Sequence, residues 1–171
     1  MRACYCLMIL GLLGACTSTT PTPTTSNTTN VDIAAETVRI DDTYRFWRNA
    51  VESADIPGYV SVLHPDVRLL PPGAPVIAGA DGYADFLKPV FATASYRIEV
   101  VQSPVIEVYG DFAMAEYEYI IHLTLKDPDT VVSEPGALTA SRSRSQYFDV
   151  LRKTELGKWG VWRHTWRAVP D

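Results

Sequence analysis

Cysteine is missing from most of the chain, and so is any excess of positive charge. The three cysteines, Cys4, Cys6 and Cys16, all lie near the N-terminus. The rest of the chain can therefore form no internal disulfide and supplies no cysteine nucleophile or thiolate metal ligand. The 15 Lys+Arg residues are outnumbered by 20 Asp+Glu, which gives a formal net charge of −5. This balance excludes the basic footprint of a nucleic-acid-binding domain.

Familiar catalytic and metal-binding motifs are also missing. His64, His122 and His164 are far apart in sequence and form no HExxH pattern. The chain has no GxSxG nucleophile elbow and no glycine-rich phosphate loop. We therefore expect no metal and no cofactor, and the catalytic residues, if there are any, stay unassigned.

The N-terminus has the pattern of an export signal. Arg2 provides a positive start, and residues 6–13 form an unbroken apolar run. This run is too short to span a bilayer, which takes roughly 20 apolar residues. Residues 13–16 then read Leu-Gly-Ala-Cys, which resembles the bacterial lipobox. The resemblance implies a signal peptide over residues 1–15 and a lipid on Cys16; the alternative is an ordinary signal peptide followed by a chance cysteine.

A tether follows the predicted lipidation site. Residues 16–31 are rich in threonine, serine and proline and have few large apolar side chains, so they are expected to remain unfolded. The chain would then be exported and anchored by its lipid at the bacterial cell envelope, at the outer membrane or its periplasmic face. Residues 32–171 form the predicted folded domain.

The first half of this domain is predicted to be helical. Ile40, Tyr44, Trp47 and Val51 recur at helical spacing, which predicts a helix over residues 32–53. Asp55 has the features of an N-cap for a second helix, which should end at residues 64–65, a His-Pro pair. A third helix is expected after residue 82, with Pro89 as a kink.

The second half is predicted to consist of strands. Short strands are expected at residues 66–70 and 75–78, and further strands at 96–101, 105–109, 112–125, 138–153 and 159–167. Helices followed by long strands indicate an α+β domain with an antiparallel sheet.

Three stretches, taken together, resemble one known superfamily. Residues 47–55 lead into Tyr59, Leu63 and Asp66; residues 72–73 are followed by a short strand and Gly79; residues 147–153 are followed by a turn and Trp159. This order resembles the SnoaL-like, nuclear transport factor 2-like superfamily. The resemblance implies a cone-like curved antiparallel sheet wrapped around the long N-terminal helix, with a pocket between them. It also implies a homodimer formed through the outer face of the sheet.

The chemistry of the ketosteroid isomerases in that superfamily is not matched by this sequence. The resemblance places Pro71 where those enzymes have a carboxylate base and Trp47 where they have a tyrosine donor. It places Gln146 where they have a protonated aspartate. These differences count against isomerase chemistry, which needs a base and oxyanion donors.

A ligand pocket is nevertheless expected, lined by Tyr44, Trp47, Tyr119, Gln146, Trp162 and His164. His164 alternates with Trp162 and Trp166 and is therefore expected on the same strand face. This face meets the pocket, packs in the core or lies at a dimer interface. Glu116 and Glu118 are either paired pocket carboxylates or outer-face partners of Arg142 and Arg144. If the arginines line the cavity, they would suit an anionic ligand.

Three functions remain open. The leading hypothesis is a membrane-anchored domain that binds a small hydrophobic or anionic molecule without catalysis. The alternative is an acid–base enzyme of the isomerase, cyclase or dehydratase type, which requires a buried titratable group such as Glu118, His122 or His164. The third is a cell-envelope module that binds another protein through the outer sheet face.

Overall fold

A computed structural model describes residues 32–170. The predicted signal peptide, the lipidation site Cys16 and the tether all lie outside the described residues. No helix in the described part is both long enough and apolar enough to cross a membrane.

Three helices come first, and their boundaries follow from their capping residues. Helix α1 spans Ile33–Glu52, and the Asp32 side chain accepts a hydrogen bond from the Ala35 amide at 3.2 Å. Helix α2 spans Ile56–Ser61 and is capped in the same way by Asp55. Helix α3 spans Ala80–Thr93 and contains Pro89.

Six strands form one open, curved sheet. They are β1 (Leu63–Leu70), β2 (Ile77–Ala78), β3 (Ala94–Tyr109), β4 (Phe112–Leu125), β5 (Arg142–Lys153) and β6 (Trp159–Ala168). Their order is β2-β1-β6-β5-β4-β3. The predicted α+β cone is confirmed. The sheet is mixed rather than antiparallel throughout, because β1 runs parallel to β6.

Two local predictions need correction. The second helix ends at Ser61, so His64 and Pro65 belong to β1. The two strands expected at 96–101 and 105–109 are one strand, β3, whose pairing with β4 is interrupted by bulges between Val100 and Val105. A bulge adds a residue without ending the strand. Because the added residue interrupts the apolar alternation, the sequence pattern of this one strand resembles that of two strands.

The inner face of the sheet packs against α1. Tyr44 and Trp47 of α1 contact Tyr117 and Tyr119 of β4, with ring centroids 5.0 and 6.1 Å apart. The long first helix thus lies in the curve of the sheet, and the side chains between them form the core. The opposite face of the sheet, which we call the outer face, carries most of the charged strand residues.

Candidate functional site

A buried carboxylate lies at the centre of the inner sheet face. Asp149 alternates along β5 with the inward residues Tyr147 and Leu151, and its side chain is 0% exposed. Tyr44 and Tyr117 each donate their hydroxyl to Asp149 Oδ2, at 2.8 and 2.9 Å. A carboxylate that is removed from water needs such donors, since an unpaired buried charge is strongly unfavourable.

His164 completes this arrangement from the neighbouring strand. Its Nδ1 lies 2.6 Å from Asp149 Oδ1, and only 8% of the residue is exposed. An ionised carboxylate only accepts hydrogen bonds, so Nδ1 is the ring nitrogen that carries the proton. In the neutral ring Nε2 then has a free lone pair, and no residue among 32–170 is hydrogen-bonded to it. We call this pair the His164–Asp149 dyad.

The two tyrosines beneath the dyad are fixed as donors. Burial, and next the charge of Asp149, raise the pKa of the Tyr44 and Tyr117 hydroxyls well above the ordinary value. Both hydroxyls therefore stay protonated at any physiological pH. They hold the carboxylate in one orientation, and the carboxylate in turn holds the imidazole.

A cavity of about 100 Å³ lies next to the dyad and is lined by His164. Its other walls are almost entirely aromatic or aliphatic. The aromatic lining residues are Trp47, Tyr59, Tyr83, Phe86, Phe91, Tyr96, Tyr147 and Trp166. Such a mostly apolar cavity with few polar groups is the usual form of a small-molecule site.

A pair of hydroxyl groups supplies the second polar feature of the cavity wall. Tyr59 of α2 and Tyr83 of α3 lie 2.8 Å apart through their hydroxyl oxygens. Burial raises the pKa of Tyr59 to about 12 and raises the pKa of Tyr83 well above its ordinary value. One hydroxyl donates to the other, which leaves the accepting hydroxyl with a proton for a ligand oxygen.

The cavity adjoins a second, wider cleft of about 650 Å³. Gly136, Leu138 and Trp166 line both spaces. Gly136 has φ +92°, and a Cβ on it would lie 2.9 Å from Pro71 side-chain atoms. This glycine therefore allows the loop between β4 and β5 to approach the turn after β1 closely, beside the cavity.

Four of the six predicted pocket residues lie at or behind the cavity. Trp47 and His164 line it directly. Tyr44 lies deeper, at the dyad, and Tyr119 is fully buried and accepts a hydrogen bond from Arg48 at 3.0 Å. Tyr119 stacks against Trp47 rather than on the cavity.

Gln146 and Trp162 do not belong to the cavity, and their assignment to it is corrected. Gln146 lies on the outer face and accepts a hydrogen bond from Arg167. Trp162 lies against Phe112 on the same face. The pairing of β5 with β6 shifts between Val150 and Leu151, and this bulge turns Trp162 away from the face of His164.

The remaining predicted side chains lie on the outer face or at its edge. Arg144 pairs with Glu118 at 2.6 Å, as the outer-face alternative predicts. His122 pairs with Glu99 at 2.8 Å on the same face. His64 is buried in β1, and its Nδ1 accepts from the Asp66 amide at 3.1 Å. His164 alone of the three candidate titratable groups reaches the cavity.

Asp149, Tyr59 and Tyr83 are site residues that the sequence pattern does not single out. A signal for Asp149 was present, because an aspartate that alternates with Tyr147 and Leu151 must be either buried or at an edge. Tyr59 and Tyr83 look like ordinary core positions of their helices, and only the packing of α2 against α3 joins their hydroxyls. Within residues 32–170, no three His, Cys, Asp or Glu side chains are grouped as metal ligands.

Several solved structures share this fold. A ketosteroid isomerase-like protein from Erwinia carotovora atroseptica is 23% identical, with TM-score 0.62, over 80% of this chain and 98% of that one. A nuclear transport factor 2-like superfamily protein from Salmonella enterica is 17% identical, with TM-score 0.65, over 80% and 94%. A candidate scytalone dehydratase from Novosphingobium aromaticivorans is 14% identical, with TM-score 0.64, over 80% and 86%. These similarities establish the fold.

The sequence itself is matched at the level of a family. No curated protein matches it. The model of the SnoaL-like domain matches residues 44–164, which include the inner tyrosines and both members of the dyad. The chain therefore belongs to the SnoaL-like domain family.

Proposed function

We propose that the protein is an acid–base enzyme that acts on a small, largely apolar substrate carrying a carbonyl or hydroxyl group. The observation that carries this proposal is the His164–Asp149 contact of 2.6 Å at the edge of an apolar cavity. A non-catalytic binding domain needs no oriented imidazole there. The alternative, which the sequence favours, is that this protein binds a small molecule without catalysis.

The proposed reaction is a proton transfer. His164 Nε2 would take a proton from a carbon next to a carbonyl, and the electron pair of that C–H bond would form the enolate. The Tyr59–Tyr83 hydroxyl pair would donate to the enolate oxygen. The imidazolium, stabilised by Asp149, would return the proton to another carbon in an isomerisation or to a leaving hydroxyl in a dehydration.

The burial of the dyad supports this division of roles. A neutral imidazole beside an ionised carboxylate gains stabilisation when it becomes cationic, since the opposite charge lies within hydrogen-bonding distance. The apolar walls keep bulk water away from the enolate and strengthen both interactions. General acid–base catalysis of this kind contributes about 10²- to 10⁴-fold in rate.

The test uses a simple carbon acid rather than an unknown substrate. Wild-type protein should catalyse exchange of the α-protons of 2-indanone in D₂O, measured by NMR, and His164→Gln should lower the rate at least about 100-fold. Binding is followed through the fluorescence of Trp47 and Trp166, which line the cavity. Glutamine at position 164 still has a donor for Asp149, so the fold and the binding should be retained.

His122→Gln is the matched control, because His122 lies on the outer face and pairs with Glu99. It should leave the exchange rate unchanged. Binding of 2-indanone without any exchange above the buffer rate would overturn the enzymatic proposal and favour the binding domain.

The location at the cell envelope is a proposal as well, supported by the lipobox-like residues 13–16. A fatty-acid label supplied to bacteria that express the full chain should be incorporated into wild-type protein and not into Cys16→Ser. Equal labelling of the two proteins would exclude Cys16 as the anchor.

A further inference from the structure

Three arginines come together on the outer face of the sheet. Arg68 of β1 is the register partner of Arg163 of β6. Arg152 lies on the adjacent strand β5, and its guanidinium shares the Trp162 ring with that of Arg163. We call Arg68, Arg152 and Arg163 the arginine cluster.

The arginine cluster has no acidic partners in direct contact. Within residues 32–170, none of the three guanidinium groups forms an ion pair with a carboxylate. Arg163 Nη1 donates instead to the main-chain oxygens of Asp66 and Trp162, at 3.2 and 2.7 Å. Even when the nearby Asp66 carboxylate is counted, three positive charges less one negative charge leave +2, in a chain of net charge −5.

The arginines also repel one another. Partial burial lowers the pKa of Arg163, and the charges of Arg68 and Arg152 lower it further, while Asp66 opposes them. A fold that keeps like charges together without a counter-ion loses stability, and an anion bound between them would restore it.

Aromatic rings hold two of the guanidinium groups in place. Arg163 lies 3.5 Å from the centre of the Trp162 ring. Arg152 lies 5.6 Å from that ring and 5.7 Å from the ring of Phe112, a residue that is 42% exposed. Stacking uses the flat faces of the guanidinium groups and leaves most of their N–H edges for a ligand.

Three further strand carboxylates on the same sheet face already have partners, whereas the exposed Glu116 of β4 forms no ion pair or hydrogen bond within residues 32–170. Glu118 pairs with Arg144, Glu99 pairs with His122, and Glu107 accepts from Tyr109. A second copy of the chain could offer only Glu116 from this face without breaking such a pair, and one carboxylate would not neutralise the arginine cluster. An external anion requires no such exchange.

We propose that the arginine cluster is a binding site for a phosphate group attached to a flat or apolar moiety. Two or three guanidinium groups match the several oxygens and the double charge of a phosphate monoester, and the exposed Phe112–Trp162 surface would pack against the attached group. The site lies on the opposite face of β6 from His164. It is therefore independent of the proposed acid–base chemistry.

The test measures how tightly three soluble probes bind to the full folded domain in about 0.15 M salt. Phenyl phosphate should bind at least about tenfold more tightly than inorganic phosphate, and benzyl alcohol should not displace it, as measured by calorimetry and by ³¹P line broadening. Arg152→Gln and Arg163→Gln should each weaken binding of phenyl phosphate at least about tenfold. Trp162→Leu should remove the preference for phenyl phosphate over inorganic phosphate.

Arg97→Gln is the matched control, since it removes the same charge from β3 at the far end of the outer face. It should leave binding unchanged, and each variant is checked by its thermal unfolding. Equal weakening by Arg97→Gln would mean that binding is only a general charge effect and would overturn the proposal. Absence of phenyl phosphate binding, together with a dimer in sedimentation, would assign the face to a second copy instead.

Vesicles separate the two sources of such a phosphate. Co-sedimentation with vesicles that contain phosphatidic acid, whose headgroup is a phosphate monoester, reversed by phenyl phosphate, would identify a lipid headgroup as the ligand. Binding of phenyl phosphate without vesicle binding would identify a soluble phosphate ester. The 2-indanone exchange rate should be the same in Arg152→Gln as in wild type, so failure of one proposal leaves the other intact.

Discussion

At the scale of single residues, the position of one proton decides what the site does. Tyr44 and Tyr117 both donate to Asp149 Oδ2, so an asparagine at position 149 must place its oxygen there. Its amide group would then point at His164 Nδ1, which has to become an acceptor. We expect Asp149→Asn to move the His164 proton from Nδ1 to Nε2, and α-proton exchange should fall with it because Nε2 is no longer basic.

The measurement is a two-bond ¹H–¹⁵N NMR spectrum of the His164 ring, which distinguishes the tautomers directly. Tyr117→Phe is the control, because it removes one donor to Oδ2 and leaves the Oδ1 contact with His164 in place. A spectrum of Asp149→Asn that still shows the proton on Nδ1 would contradict the proposed orientation of the dyad.

The dyad also shows what residue patterns can and cannot predict. His164 and Trp47 were identified because aromatic residues at strand or helix spacing favour an inner face. Asp149 is not predicted in this way, and the resemblance to the isomerases points instead to Gln146, three positions earlier on β5. Three is an odd number, so the two side chains point to opposite faces of the strand.

At the scale of elements, the helix boundaries can be predicted from local sequence signals, whereas the pairing of distant strands cannot. Helices α1 and α2 begin where Asp32 and Asp55 accept backbone hydrogen bonds, and short-range capping patterns are readable in any sequence. The bulge that turns Trp162 outward has no such local signal. It arises where β5 and β6 meet, and these strands are joined only by the turn that follows Lys153.

The parallel pairing of β1 with β6 is a second feature that local patterns do not reveal. Val161 donates its amide to Val62 at 3.0 Å, across almost a hundred residues of sequence. At this contact a Cβ on Gly160 would lie 2.7 Å from the His64 nitrogen, so only glycine lets the two backbones approach. This pairing places His164 next to Leu69 and thereby brings it to the cavity wall.

At the scale of the whole molecule, one buried glutamate joins the first helix to the last two strands. Glu36 in the first turn of α1 accepts from Lys153 Nζ of β5 at 2.9 Å and from Trp159 Nε1 of β6 at 2.7 Å. Only 8% of the residue is exposed. These contacts connect the start of the chain's fold to its end, so their strength contributes to the stability of the entire domain.

The charge of Glu36 makes that stability depend on pH in a defined window. Hydrogen bonds from Lys153, and next from Trp159, lower the pKa of Glu36 from 4.5 to about 2. A lowered carboxylate pKa stabilises the fold at pH values above the unfolded-state pKa of 4.5, and this contribution is lost as the pH falls towards 2.

Between about pH 5.5 and 2.5, wild-type protein should lose roughly 2 to 3 kcal/mol more unfolding free energy than Glu36→Gln. Urea unfolding measures the difference, and the exposed Glu155→Gln is the control, which should follow the wild-type curve. If Glu36→Gln lost stability with pH as steeply as wild type, the lowered pKa of Glu36 would not be the link between acid and unfolding.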